Sequence, residues 1–203
     1  MLSPLKFHEA REAHPEKFSS RLRNKFFYGQ AGTKDLLQRK WKDLCNYITL
    51  KCDGVDMTNK LKELRVHSLL FLNINSYGGG TRPWATNSPC YETPRTDDGL
   101  IEVIGLTTYQ LPILQAGGHG SCIAQCRSAV IYTSRSIPMQ VDGEPCRLLP
   151  SIITLSLKNK ANLLAKSRSD KRSTQIPDNT EMQFYIRKLN LSDYVSISLV
   201  FFI

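Results

Sequence analysis

Two of the chain's three Asp-Gly dipeptides set the narrowest limits on how it can fold. Asp53-Gly54 follows Asn46–Cys52, which alternates apolar and polar residues, and precedes the β-prone Val55-Asp56-Met57; Asp142-Gly143 follows Ile137–Val141. An Asp-Gly pair between such runs closes a two-residue hairpin, because both positions tolerate the positive φ of the tight turn. Further strand-like runs surround them. Val66–Ile74 is continuously apolar, the signature of a strand buried on both faces, and Leu100–Leu106 and Cys126–Ser134 are β-rich. In Ser151–Lys158, Ile153, Leu155 and Leu157 point inward against Thr154, Ser156 and Lys158. Within the run of strands only Tyr109–Gln115 reads as a short helix, and Gly117-Gly118-His119-Gly120 ends it. Hairpin order without intervening helices predicts an antiparallel sheet, so the fold class is mainly β, α+β, with short N-terminal helices.

Those helices are predicted from Pro15 to about Tyr28, with Phe18, Leu22 and Phe26 at helical spacing, and from Thr33 to Leu44, with Leu36, Leu37, Trp41 and Leu44 on one face and Thr33 as N-cap. Asn75–Asp98 carries Gly78-Gly79-Gly80, Pro83, Pro89 and Pro94 and reads as loop; a loop that long inside a domain usually serves function. Asn159–Thr180 reads as a polar linker and Met182–Leu189 as a further strand. Val195–Ile203 is uncharged and β-prone, and invites aggregation unless it is paired.

With 203 residues, 41% hydrophobic and 22% charged, the chain suffices for one folded domain with a tail; wholly disordered, collagen-like and disulfide-dense classes are excluded. The longest apolar runs, Leu69–Leu72 and Leu199–Ile203, fall far short of the roughly 20 residues that span a bilayer. Charges at Lys6 and Glu9 stand where a signal peptide needs its apolar core, and the expected location is cytoplasmic. The six cysteines include no C-x-x-C pair and read as mostly buried free thiols; His119, Cys122 and Cys126 lack a fourth metal ligand. The net charge of +9 points to an anionic partner. Lys158, Lys160, Lys166, Arg168, Lys171 and Arg172 stand against Asp170 alone, either a hydrated linker or a patch for an anionic membrane surface. No nucleic acid partner is expected, because the aromatic residues fall on the apolar sides of their elements rather than among the basic ones.

Two acidic turns carry the chemistry available to the chain. Asp97-Asp98-Gly99-Leu100, where the long loop enters a strand, reads as a plain polar turn or as a holder of a hard cation with help from backbone carbonyls. Asp142-Gly143-Glu144 reads as a hairpin turn or as a carboxylate pair at i and i+2 on one side of the pleat, able to supply a general base and a metal-orienting acid. No Lys-Ser or Lys-Thr follows the glycine clusters, so there is no Walker phosphate loop, and His8, His14, His67 and His119 have no serine or cysteine elbow beside them.

Taken in order, Phe7–Glu12, Pro15–Phe18, Arg21–Phe27, Cys52-Asp53-Gly54, Phe71–Ile74, Asp97-Asp98-Gly99 with Ile101–Gly105, Gly117–Gly120 and Pro138–Cys146 resemble the accessory domain of eukaryotic diacylglycerol kinases. The Gly-Gly-His-Gly and Val-Asp-Gly-Glu-Pro-Cys blocks are most similar to the type IV branch, which holds the zeta and iota enzymes and the fly retinal-degeneration enzyme. The resemblance implies an antiparallel, β-sandwich-like C-terminal domain of the diacylglycerol kinase and NAD kinase fold over residues 1–161, followed by a linker and partial extension over 162–203. It implies that ATP and Mg²⁺ serve as cofactors and that diacylglycerol is converted to phosphatidic acid in intracellular lipid signalling at an anionic membrane surface. Asp142 matches the family's general base and Glu144 its acidic companion, while Asp98 with the carbonyls of Arg95 and Leu100 matches a structural magnesium site. The Gly-Gly-Asp-Gly motif of the family's ATP-binding half does not occur in these residues. The expectation is therefore an accessory half-enzyme that needs an ATP-binding catalytic half as partner and is inactive alone; the alternative is a non-catalytic β-domain that binds lipid or a partner.

Overall fold

The computed structural model describes residues 3–20, 44–78, 80–85, 90–160 and 201–202. In it Asp53 and Gly54 take φ of 47° and 83°, and Asp142 and Gly143 take 47° and 91°. Both central residues of each turn are left-handed, which gives the turn a twist that matches its flanking strands. The described elements are helix α1 (Ser3–Ala13), strands β1 (Ile48–Cys52) and β2 (Val55–Asp56), helix α2 (Thr58–Glu63), strands β3 (Ser68–Leu72) and β4 (Ile101–Leu106), helix α3 (Gln110–Gln115), and strands β5 (Ser121–Cys126), β6 (Ser128–Thr133), β7 (Ile137–Val141), β8 (Glu144–Leu148), β9 (Ile152–Ser156) and β10 (Phe201–Phe202). Short 3-10 turns stand at Pro15–Phe18 and Leu44–Asn46.

Two sheets form, in the orders β2-β1-β6-β9 and β5-β4-β3-β10-β7-β8, and every adjacent pair is antiparallel. The described residues are thus mainly β with a few short helices, as predicted. The main core lies between the sheets, where Leu50, Ile131 and Leu155 of the smaller sheet belong to one cluster with Leu69, Phe71, Val103 and Ile137 of the larger. A second core covers the outer face of the larger sheet: Leu70, Leu72, Ile104 and Leu106 pack with Trp84 from the long loop and Leu114 from α3. Because both faces of the larger sheet are covered, all five residues of β3 are buried, which accounts for its unbroken apolar sequence. Residues 1–157 with 198–203 form one compact unit; the other, 158–197, lies outside the described residues beyond position 160.

The N-terminus departs from the expected pattern. The helix there is α1, which ends at Ala13 because a residue preceding proline is excluded from helical backbone: His14 sits at φ −142°. Pro15 then begins only a 3-10 turn, closed by Phe18 packing edge-on against Phe7 at 5.1 Å. The remainder of the helix predicted from Pro15, most of the one predicted from Thr33, and the strand predicted at Met182–Leu189 lie outside the described residues. Leu157, expected inward, is 53% exposed because β9 stops at Ser156. Within Val195–Ile203, Phe201 and Phe202 pair on both sides, with Phe71 and Leu70 of β3 and with Val141 and Gln140 of β7.

Candidate functional site

One row of residues crosses the whole larger sheet: Ala124, Val103, Phe71, Phe201, Val141 and Glu144 are successive partners from β5 to β8. One step beyond that row, Gln125, Glu102 and Leu72 stand on β5, β4 and β3, and Asp142 stands at the tip of the β7–β8 hairpin. Both predicted acidic turns therefore lie on a single rim of one sheet. They are not in contact. From β4 to β7 there are three strand spacings of about 4.8 Å, which places Glu102 and Asp142 roughly 14 Å apart along the rim.

At the hairpin tip Asp142 and Glu144 are both exposed. Their i, i+2 spacing, expected to put both on one side of a pleat, instead spans the hairpin turn. Val141 and Glu144 are direct partners, so the chain reverses at Asp142-Gly143 and puts Asp142 in the turn and Glu144 at the head of β8. Aspartate is among the few residues that accept the left-handed backbone required at position 142.

At the other end of the rim the Asp98 side chain folds over its own turn. Oδ1 accepts the Leu100 N–H at 2.8 Å, Gly99 takes φ 77°, and Oδ2 is buried with no hydrogen-bond partner among the described residues. A carboxylate oxygen shut away from water without a donor fits a hard cation completed by backbone carbonyls, such as those of Arg95 and Leu100. The Arg95 side chain is turned elsewhere: its Nε and Nη2 donate to the two oxygens of Asp97, each at 2.9 Å. A Cβ on Gly99 would meet Leu157 Cδ2 at 3.2 Å and Arg127 Nη1 at 3.8 Å, so the turn lies against the ends of both sheets.

Glu102, hidden from sequence reading inside the apolar run of β4, is 1% exposed. Burial pushes its carboxyl up to about 7; a hydrogen bond from Gln125 works against that and the neighbouring Asp98 charge adds to it. Gln125 Nε2 donates to Glu102 Oε1 at 3.1 Å, and Gln125 Oε1 accepts the Glu92 N–H at 3.1 Å. The pair thus ties the long loop to the sheet just before it reaches Asp98. Trp84, 1% exposed and edge-on to Tyr91 at 5.1 Å, anchors the same loop. Tyr91 and Lys60 of α2 both donate to the carbonyl of Ile123, each at 2.7 Å, at the bulge where β5 slips register against β4.

The remaining motifs are structural. Asp53 accepts the N–H groups of Arg127 at 3.0 Å and Ser128 at 2.8 Å, clamping the first hairpin onto the junction of β5 and β6. Against the burial that pushes it up, these bonds, the Ser128 hydroxyl and the Arg127 charge hold its carboxyl below the usual range. His119 donates Nδ1–H to the Arg82 carbonyl at 2.8 Å. Cys122 packs in the outer core and Cys126 between the sheets, so the two cannot share a metal with His119. Cys45, Cys52 and Cys126 are buried thiols as expected, whereas Cys90 and Cys146 are exposed. Among the described residues no three His, Cys, Asp or Glu side chains converge, and no helix is long and apolar enough to cross a membrane.

Fold and rim together define an antiparallel two-sheet α+β domain with separated carboxylate turns along one sheet edge. The diacylglycerol kinase accessory domain matches residues 4–145, and the chain belongs to that family. It is 55% identical over 190 residues to the eye-specific diacylglycerol kinase of Drosophila melanogaster, covering 94% of this chain and 13% of that protein. It is 48% identical over 199 residues to human diacylglycerol kinase iota, with 94% and 18% covered, and 42% identical over 199 residues to human diacylglycerol kinase zeta, with 95% and 21% covered. These relatives fall in the branch that the sequence blocks resemble, and the chain spans about a fifth or less of their length. No solved structure matches it.

Proposed function

We propose that this chain forms the acceptor side of a diacylglycerol kinase active site and that an ATP-binding half completes it. The observation that carries this reading is the Asp142-Gly143-Glu144 turn, which holds two exposed carboxylates at a hairpin tip on the rim that also bears Asp98. Asp142 accepts the proton of the sn-3 hydroxyl of diacylglycerol as that oxygen bonds to the γ-phosphorus of ATP and the bond from phosphorus to the β,γ-bridging oxygen breaks, leaving phosphatidic acid and ADP. Glu144 adds a second negative charge beside it, suited to orienting magnesium-bound phosphate. Magnesium supplies charge neutralisation when bound. Asp98, with the carbonyls of Arg95 and Leu100, would hold a structural magnesium ion in this reading, about three strands away from Asp142 and so away from the reacting atoms. The domain in this reading covers residues 1–161, with 162–203 as linker and extension, and works at the cytoplasmic surface of an anionic membrane.

The test is phosphatidic acid formation from ATP, magnesium and diacylglycerol micelles, by the chain alone and with a separately expressed ATP-binding half. The pair is expected to be active and the chain alone inactive, and Asp142→Asn is expected to lower turnover by about 10²- to 10⁴-fold. Turnover by the chain alone, or an inactive pair, would sink the half-enzyme reading, the second result leaving a lipid- or partner-binding domain.

A further inference from the structure

Buried side-chain oxygens in native proteins have hydrogen-bond partners, and the exceptions mark places where an ion or water belongs. Six such oxygens lack a partner among the described residues, and four of them belong to residues that directly follow β3, Asn73 and Asn75, or that precede and begin β4, Asp98 and Glu102. Two of the four are carboxylate oxygens. Asp98 and Glu102 are four residues apart: the Asp98 side chain is held by the N–H of Leu100 in the turn that enters β4, and Glu102 is the second residue of that strand. Gln125 satisfies only Oε1 of Glu102 and leaves Oε2 without a donor, although the residue is 1% exposed. Leaving an oxygen of each of two carboxylates, four residues apart, out of water with no donor to either is costly unless a cation meets them.

We infer that Glu102 is the second carboxylate of a divalent-cation site shared with Asp98. This rests on the cation site proposed above and extends it to a residue that neither the turn motif nor the family resemblance singled out. Two carboxylate oxygens with backbone carbonyls form the all-oxygen donor set that magnesium or calcium takes. Such a site fastens the end of the long loop to β4 through metal–ligand bonds, beside the hydrogen bonds that Gln125 already makes to Glu92.

The test is thermal unfolding of the full 203-residue chain, stripped with EDTA and titrated with magnesium chloride or calcium chloride against sodium chloride at matched ionic strength. The wild-type chain is expected to show a saturable rise in Tm. Glu102→Gln keeps the shape of the side chain and its place beside Gln125, and is expected to weaken the apparent cation affinity by at least about tenfold. If Glu102→Gln titrates like wild type while Asp98→Asn does not respond, Glu102 is not a ligand and the Asp98 site survives. If the wild-type chain shows no cation-specific rise, both fall. The side-chain carboxyl ¹³C resonance of Glu102 gives a readout without mutation: it should move with magnesium at the midpoint of the thermal shift, and a resonance that stays in place through that midpoint overturns the assignment.

Discussion

Asp53 and Asp142 occupy the same turn position with the same backbone, and their environments differ in what the carboxylate meets. Asp53 meets two backbone N–H groups and a hydroxyl of the β5–β6 junction. Folding holds its carboxyl below an unfolded value near 4, so as the pH falls the unfolded chain takes up the proton first. The contribution of Asp53 is therefore full above that value and is lost as the pH drops through the folded one. Asp53→Asn keeps the left-handed turn and removes the charge; given the exposure of the site, a loss of about 1 kcal/mol is expected at pH 7. Urea denaturation of both proteins from pH 7 to pH 3 should show that gap closing. Gly120 is a residue of a different kind. A Cβ there would run into Ile104 Cγ2, meet Leu106 Cδ2 at 2.7 Å and the Gly105 carbonyl at 3.1 Å, so Gly120→Ala is expected to cost about 1–3 kcal/mol in the same assay. The packing of that loop against β4 accounts for the glycine at position 120.

Among the elements, hairpins were the most legible in the sequence, because an Asp-Gly turn encodes its pairing within four residues. Ile137–Val141 matches β7 residue for residue. α2 was not legible: Thr58–Glu63 buries only Leu61, and a single apolar residue makes no periodicity. Nor was the alignment of Asp98 with Asp142, which depends on β3 and β7 lying on either side of β10, far away in sequence. Glu102 escaped notice for a related reason: a charge inside an apolar run looks solvent-facing until the loop that covers it is known. The described residues of β10 pair with Gln140 and Val141 of β7. Removing residues 201–203 is expected to leave facing backbone groups of β3 and β7 without partners, and amide hydrogen exchange at positions 70–71 and 140–141 should quicken by at least about tenfold while β1 and β6 keep their protection. Unchanged exchange would count against this pairing.

At the scale of the whole molecule, the larger sheet is shared by two cores with different duties. The one between the sheets carries the fold, and the outer one holds down the loop that leads to Asp98. Trp84→Ala is expected to cost about 3–5 kcal/mol, and limited proteolysis should then cut first within residues 75–98, with the two-sheet core outlasting the loop; cleavage starting in β1 or β6 would contradict this division. Every strand of the smaller sheet lies before residue 157, with β1 and β6 some eighty residues apart, whereas β10 joins β7 from some sixty residues and β3 from some 130 residues further along the chain. Closing so long a loop is slower than forming a hairpin. During synthesis, then, the smaller sheet and both Asp-Gly turns can form while the ribosome is still extending the chain, and the alignment of the two acidic turns on one rim waits until residues 201–202 have emerged. The register of the rim is set after the smaller sheet, and a chain held short of residues 201–202 would keep its individual turns without that common register.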